Sequence, residues 1–373
     1  MRPGPPEARP NDVGPIVFLF EQKRSDPKER TTMGRDTSHG RAIDRRSAFA
    51  EGSRNHAGPG AAMATIRGKE AVLMGGSLGV SVIMPACEGA DTIRETVDSV
   101  VAQSFQQWEL LVVADDTIDY APLLPADPRI LLLRTGRYRA GPSAARNVGL
   151  DHAQQPLVTF LDSDDAWHRD KLSRLAPLAH QYGVALDNVR FCYRHKRASG
   201  TYWQDPTEGW HDLDFYGQVS ESLWPVYRRD LVGGARFQEP LRFAEEAVFN
   251  LSLIARNAGA YLCARSLHEY WIRPNSLSRC AASGDRAEQA YTWVLARLRG
   301  GDHLFFPPPA IEQAISIFEK RRDTNRAFVE SGLGDFQDFE TRQRAHSYGS
   351  LEGSARHGLD SPSLAPKEQD PIA

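Results

Sequence analysis

No stretch of this 373-residue sequence is apolar for long enough to span a bilayer. The longest mostly apolar run, Ala71 to Ala86, is broken by three glycines and two serines and predicts no transmembrane helix. The first ten positions, rich in Arg, Pro and Glu, lack the apolar core with which a signal peptide begins. Cysteine is scarce. Cys87, Cys192, Cys263 and Cys280 lie far apart and form no C-x-x-C pair, so neither a zinc ribbon nor a redox motif is written, and reduced cytosolic thiols are expected. Excess positive charge is missing from the body of the chain: residues 1–78 hold 13 Lys/Arg against 9 Asp/Glu, which leaves 32 against 39 for the remainder. Nothing there attracts a phosphate backbone, and nucleic acid is not expected as a partner. No G-x-G-x-x-G follows the first apolar strand, which argues against a Rossmann dehydrogenase. No H-E-x-x-H or paired-ligand spacing gives His268 or any other histidine a role.

Hydrophobic residues at 41% and charged residues at 25% place the chain among globular proteins, and its length suits two domains or one large α/β domain with tails. Residues 1–78 contain 7 Pro, 10 Gly and three aromatics, all Phe, too little apolar surface to offset the entropy of ordering a backbone. A disordered leader is expected there, or a mis-called start with Met63 as the second choice. Its one apolar patch is "PIVFLF" at 15–20.

From Val80 short β-branched runs alternate with longer amphipathic ones. "VSVIMPA" (80–86), "WELLVVA" (108–114), "RILLLR" (129–134) and "LVTFL" (157–161) predict strands. Between them, Thr92 with Glu95 reads as a capping box before Ile93, Val97, Val100 and Val101, and "PSAARNVGLDHA" (142–153) reads as a helix with Ser143 as its cap. Strands alternating with helices imply a Rossmann-like, mostly parallel sheet flanked by helices. Further on, "VRFCYR" (189–194) predicts a strand, 196–242 loops and short strands, and 245–259 a helix with two glutamates in its first turn. Two more helices are expected over 285–299 and 309–330, followed by a loose tail from about 346. The implied division is 79–167 and 168–280 as two halves of one domain, a helical extension over 281–345 and a disordered tail over 346–373.

Ligands of open α/β sheets bind outside the carboxyl ends of the strands, where the polar stretches 86–91, 115–119 and 162–165 fall. The last lies in "FLDSDDAW" (160–167), with three carboxylates in four positions. Such crowding costs stability unless something positive compensates it. A carboxylate pair fixed at a strand end can hold Mg²⁺ or Mn²⁺, whose coordination substrate phosphates complete. The alternative is a solvated acidic turn that caps the next helix, a task that suits Asp165.

"VSVIMPACEGADTIRETVDSVVAQSFQQWELLVVADD", "GPSAARNVGL" and "VTFLDSDDAW", in this order and spacing, resemble the nucleotide-sugar-binding half of a family 2 glycosyltransferase with a GT-A fold. The likeness covers roughly 79–280. It implies an inverting, metal-dependent hexosyltransferase that moves a sugar from a nucleoside-diphosphate donor, a UDP-sugar first, to an acceptor hydroxyl on a saccharide or lipid-linked saccharide. It also implies polysaccharide or glycoconjugate assembly in the cytoplasm, with peripheral association at the inner face of the plasma membrane. A GT-A protein that only binds nucleotide sugar or a protein partner is the alternative. A haloacid-dehalogenase-like phosphotransferase fits less well, because Ala166 stands where Thr or Val is wanted and the acidic motif follows about the fourth strand.

Carried over by position, the resemblance puts Pro85, Ala86 and Glu88 beside the nucleobase and assigns Asp115 to the base. Arg146 falls near the nucleotide, Asp162 near ribose and metal, and Asp164 on the Mn²⁺ or Mg²⁺ ion. Glu246 corresponds to the base that deprotonates the acceptor, with Glu245 beside it, and Arg273 in "YWIRPNSLS" (270–278) to a residue facing diphosphate. Each has a plainer alternative: an ion pair for Arg146, a favourable helix dipole for the glutamates, and a surface site for Arg273. The chain departs from the family at Cys87-Glu88, where Tyr-Asn is common, at Ala114-Asp115-Asp116-Thr117, where Asp-Asp-Gly-Ser often ends the second strand, at Glu246 in place of Asp, and at Arg273 in place of His. Trp203, Trp210, Tyr216 and Trp224 fall where relatives build the acceptor site, although core packing accounts equally well for any single one.

Overall fold

The computed structural model describes residues 78–193, 200–203, 205–219, 223–273 and 283–333. The leader with its 15–20 patch and Met63, Cys280, the end of the 270–278 segment and the tail from 346 lie outside the described residues.

The chain lays down β1 (Val80–Ala86), α1 (Ile93–Val101), β2 (Trp108–Ala114), β3 (Ile130–Arg134), α2 (Pro142–His152) and β4 (Leu157–Phe160). The next elements are β5 (Ala166–Trp167), α3 (Lys171–Tyr182), β6 (Val184–Tyr193), β7 (Gly200–Thr201), β8 (Gly209–His211), α4 (Leu213–Gly217), β9 (Val226–Arg228) and α5 (Arg229–Val232). α6 (Glu245–Arg256), β10 (Ala260–Ile272), α7 (Ser283–Arg299) and α8 (Ile311–Ser331) close the described part. All strands join one sheet, with the order β3-β2-β1-β4-β9-β6-β10-β5 and β7 and β8 paired at its margins. β3, β2, β1 and β4 run parallel, as does β6 with β10, while β9 and β5 run antiparallel to their neighbours. This mixed α/β sheet with helical cover is the layout the GT-A resemblance implied.

Strand alternation sorts the core into two clusters. Val80, Val82 and Met84 of β1 pack with α1 and α3 on one face, and Ile83 faces the cluster that holds α6 and the two C-terminal helices. α2 lies close over β1 because Gly149 sits against Ile83, where a Cβ would collide.

Local chemistry departs from the sequence expectation in three places. The Thr92 hydroxyl makes no cap bond to α1; it donates to the Ser163 carbonyl at 2.9 Å and ties α1 to the acidic loop. α2 begins at Pro142 after Gly141 (φ 104°), so buried Ser143 lies inside the helix and does not cap it. Pro at N1 needs no N–H partner, and Gly tolerates the positive φ. β6 starts five residues earlier than its apolar run suggested, and β10, interrupted in sequence by Arg265, His268 and Glu269, carries no clear strand signal.

Candidate active site

β1 and β2 end side by side, with the Asp115 N–H donating to the Ala86 carbonyl at 2.8 Å. Ala86 is buried, and the chain then turns through exposed Cys87 and Glu88, the latter at φ 54°. The Glu88 N–H donates to Asp116 Oδ2 at 2.5 Å, and its carboxylate pairs with Arg139. Asp115 is buried and accepts from the Thr135 hydroxyl (2.8 Å) and from the Ala140 and Gly141 N–H groups (2.8 and 2.7 Å). It therefore organises the loop leading into α2.

The acidic loop follows β4 on the same edge. Asp162 Oδ1 pairs with Arg146 at 2.8 Å, and its Oδ2 accepts from Trp224 Nε1 at 3.3 Å. Arg146 projects from α2 and is 4% exposed. Its other nitrogen pairs with Glu245 at 2.9 Å, and its guanidinium lies over Trp224 (4.4 Å to the ring centroid) and Phe237 (5.3 Å). Burial alone would lower the pKa of Arg146, but the charges of Asp162, Glu245 and Glu246 outweigh it and raise the pKa above the usual value. Asn147 holds Phe237 in place by donating to its carbonyl and accepting from its N–H. Phe160 packs beneath, 5.5 Å from Trp224 and 5.0 Å from Phe237. The ion pair expected under the plainer reading of Arg146 is present, and it is double.

Glu245 and Glu246 open α6, behind Ala244 in the left-handed region (φ 59°). A non-glycine residue held there is strained, and such strain persists where the surroundings over-determine it. Glu245 is buried on Arg146, whereas Glu246 is half-buried and contributes charge to Arg146 from further away. Asp164 pairs with Arg273 just beyond β10, so that expected diphosphate residue also reaches the acidic loop.

Asp165 corrects the helix-cap expectation. It is 2% exposed, accepts from the Trp271 N–H at 3.0 Å and shares a hydrogen with His268 Nε2 at 3.0 Å. Burial and the charge of Asp162 raise its pKa well above the carboxylate range. Burial, with the Lys171 charge, lowers His268 to about 3, so the ring is neutral. Behind it, fully buried Lys171 pairs with Asp187 at 2.5 Å, and Asp187 Oδ2 accepts from the Leu267 N–H. The β10 register slips against β6 on either side of Ser266, which turns His268 toward the acidic loop. Sequence reading missed His268, Lys171 and Asp187 because no motif spacing connects them; three polar residues within otherwise apolar strand or helix faces were the only signal.

Of the four aromatics, Trp224 reaches this site. Trp203 and Tyr216 are core residues, and Trp210 sits on β8 opposite Tyr261, at the far end of β10.

Among the described residues no group of three His, Cys, Asp or Glu converges as a self-sufficient metal cage. The pair Asp162 and Asp164 supplies hard oxygen donors on one short loop, partly exposed at the strand ends. That donor set fits a Mg²⁺ or Mn²⁺ ion that takes one or two protein carboxylates and completes its shell with phosphate oxygens.

Residues 81–229 match the profile of Glycosyl transferase family 2. The chain is 43% identical over 117 residues to the Escherichia coli UDP-Glc:alpha-D-GlcNAc-diphosphoundecaprenol beta-1,3-glucosyltransferase WfgD, a match covering 31% of this chain and 44% of that one. It is 28% identical to the Rhizobium meliloti succinoglycan biosynthesis protein ExoO over 54% of this chain and 62% of the relative. With the Bacillus subtilis putative teichuronic acid biosynthesis glycosyltransferase TuaG it shares 30% identity over 53% of this chain and 81% of the relative. The chain thus spans less than two thirds of the first two relatives and most of the third. The match to TuaG across most of that protein and the profile match over the segment that includes Asp115, Arg146, Asp162 and Asp164 lead to one conclusion: this chain belongs to glycosyl transferase family 2.

Proposed function

We propose that the protein is an inverting glycosyltransferase that moves a sugar from a nucleoside-diphosphate donor to an acceptor hydroxyl in polysaccharide or glycoconjugate assembly. The observation that carries this reading is the double ion pair of Arg146, which fastens the Asp162 loop and the Glu245-Glu246 helix start into one site.

On this reading Pro85, Ala86 and Glu88 border the donor's base, Asp115 serves the base, and Asp162 and Asp164 are the residues that would hold Mn²⁺ or Mg²⁺. When bound, the cation stabilises the charge that develops on the leaving diphosphate. Glu246 takes the proton of the acceptor hydroxyl as its oxygen attacks the anomeric carbon from the face opposite the diphosphate. Glu245 is the weaker candidate for that base because its carboxylate is committed to Arg146. Arg273 neutralises phosphate charge on the donor side. The substrates in the name of the E. coli relative support a UDP-sugar donor and a lipid-linked saccharide acceptor. Among the described residues no helix is long and apolar enough to cross a membrane. We place the enzyme at the cytoplasmic face of the plasma membrane through its acceptor.

A donor screen by nucleotide release, with UDP-, GDP- and TDP-sugars and Mn²⁺, tests the reading. One donor is expected to turn over, and Asp164→Ala, Glu246→Gln and chelation by EDTA are each expected to stop it. Metal-dependent donor binding without turnover under any acceptor condition would favour the binding-only alternative.

A further inference from the structure

We infer that Arg273 is a built-in counter-ion for Asp164 that competes with the divalent cation and is handed over to the donor diphosphate when cation and donor bind together. The inference rests on the donor site proposed above and concerns the order in which that site is assembled.

Five carboxylates lie in the acidic loop and at the start of α6: Asp162, Asp164, Asp165, Glu245 and Glu246. Arg146 serves Asp162 and Glu245, and Asp165 is taken up by His268 and the Trp271 N–H. Asp164 is matched by Arg273. The meeting of these two side chains is built into the backbone. Asp165, next to Asp164, accepts from the Trp271 N–H of β10, two residues before Arg273, so one hydrogen bond brings the backbones that carry both partners together. Both side chains are about one-third exposed, at 32% and 34%, which leaves the pair open to an incoming ligand. Arg273 Nε is itself buried without a hydrogen-bond partner, so this guanidinium is incompletely satisfied where it stands.

A cation that uses Asp164 must therefore displace an arginine, and a cation alone recovers nothing for the guanidinium it releases. A cation arriving with a diphosphate does, because the freed guanidinium has phosphate oxygens to bind, in a geometry that suits its planar fork. The site is thus set to bind cation weakly alone and strongly with donor, a positive coupling between the two ligands.

The test measures Mn²⁺ binding to the full chain by electron paramagnetic resonance, without nucleotide and then with UDP or GDP. Arg273→Gln is expected to tighten binding of Mn²⁺ alone about tenfold, as removal of one competing charge at a partly exposed pair implies, while weakening nucleotide binding in the presence of Mn²⁺. Arg273→Lys keeps the charge and is expected to leave binding of Mn²⁺ alone near wild type. Asp164→Asn is expected to abolish that binding in both backgrounds. Unchanged or weaker Mn²⁺ binding in Arg273→Gln, with its thermal midpoint intact, overturns the inference, as does Mn²⁺ binding that survives Asp164→Asn. If neither nucleotide binds the wild type, the donor reading fails by itself, because the competition is read from Mn²⁺ alone.

Discussion

Arg146 of α2 donates to Glu245 Oε1 at 2.9 Å across 99 positions of sequence, inside a site where the arginine is 4% exposed. The same guanidinium holds Asp162, so one cation joins the acidic loop after β4 to the start of α6.

Removing Arg146 leaves two carboxylates facing each other with no compensating charge. Arg146→Gln is expected to cost about 3–5 kcal/mol of unfolding free energy, the range for breaking a buried pair from one side. Arg146→Lys is expected to recover part of it, since an ammonium cannot reach both carboxylates and stack on Trp224 together. Urea denaturation at neutral pH measures both, and equal stability of Arg146→Gln and the wild type would contradict the bridging role.

The two glutamates are expected to separate. Glu246→Gln should lower kcat by about 10²–10⁴, the usual contribution of a general base, with donor affinity unchanged. Glu245→Gln should chiefly lower the thermal midpoint by loosening Arg146. Steady-state kinetics beside thermal melts of both variants decide it, and the opposite pattern would move the base to Glu245.

Asp165→Ala strips partners from the Trp271 N–H and from His268 Nε2. Each buried polar group left unsatisfied costs about 1–3 kcal/mol, and the Trp271 amide is expected to lose hydrogen-exchange protection. Asp165→Asn retains an acceptor and a donor and should cost less than the alanine. An alanine variant with wild-type protection at Trp271 would show that β5 and β10 hold together without this residue.

Cys87 is exposed at the end of β1, whereas Cys192 and Cys263 are buried. Partial burial and the charges of Asp116 and Asp115 raise the Cys87 pKa, with Arg139 opposing them. Its thiolate fraction is therefore smaller at a given pH than that of a free thiol. Alkylation should be slow near neutrality and accelerate as pH rises past the ordinary thiol range. Of these three, Cys87 should label first in the folded protein, and donor with Mn²⁺ should protect it. Labelling unaffected by a saturating donor would place the nucleotide away from the β1 edge.

Local physics made much of this legible in advance. The β1 to β4 strands were written as short apolar runs, so topology placed the loops after them at the carboxyl ends of the sheet, while the family resemblance singled out Asp115, Arg146 and Asp162. The failures cluster where a polar side chain finds its partner far along the chain. Asp165 looked like a cap because caps are local, yet its partners, His268 and Trp271, lie more than a hundred residues away. Thr92 and Ser143 failed as caps for related reasons, one drawn to the Ser163 carbonyl and the other displaced by Gly141-Pro142.

By itself the sequence determined the alternating α/β architecture, the edge of the sheet that carries the site and the acidic loop at its centre. These follow from apolar periodicity and from residue types at short spacing, which neighbouring residues suffice to specify. Only the tertiary structure decided how that negative charge is compensated: Arg146 on Asp162 and Glu245, Arg273 on Asp164, and the His268 and Trp271 contacts on Asp165. Ion pairs and buried hydrogen bonds depend on distances of a few ångströms between separate elements, and the sheet and its packed helices set those distances.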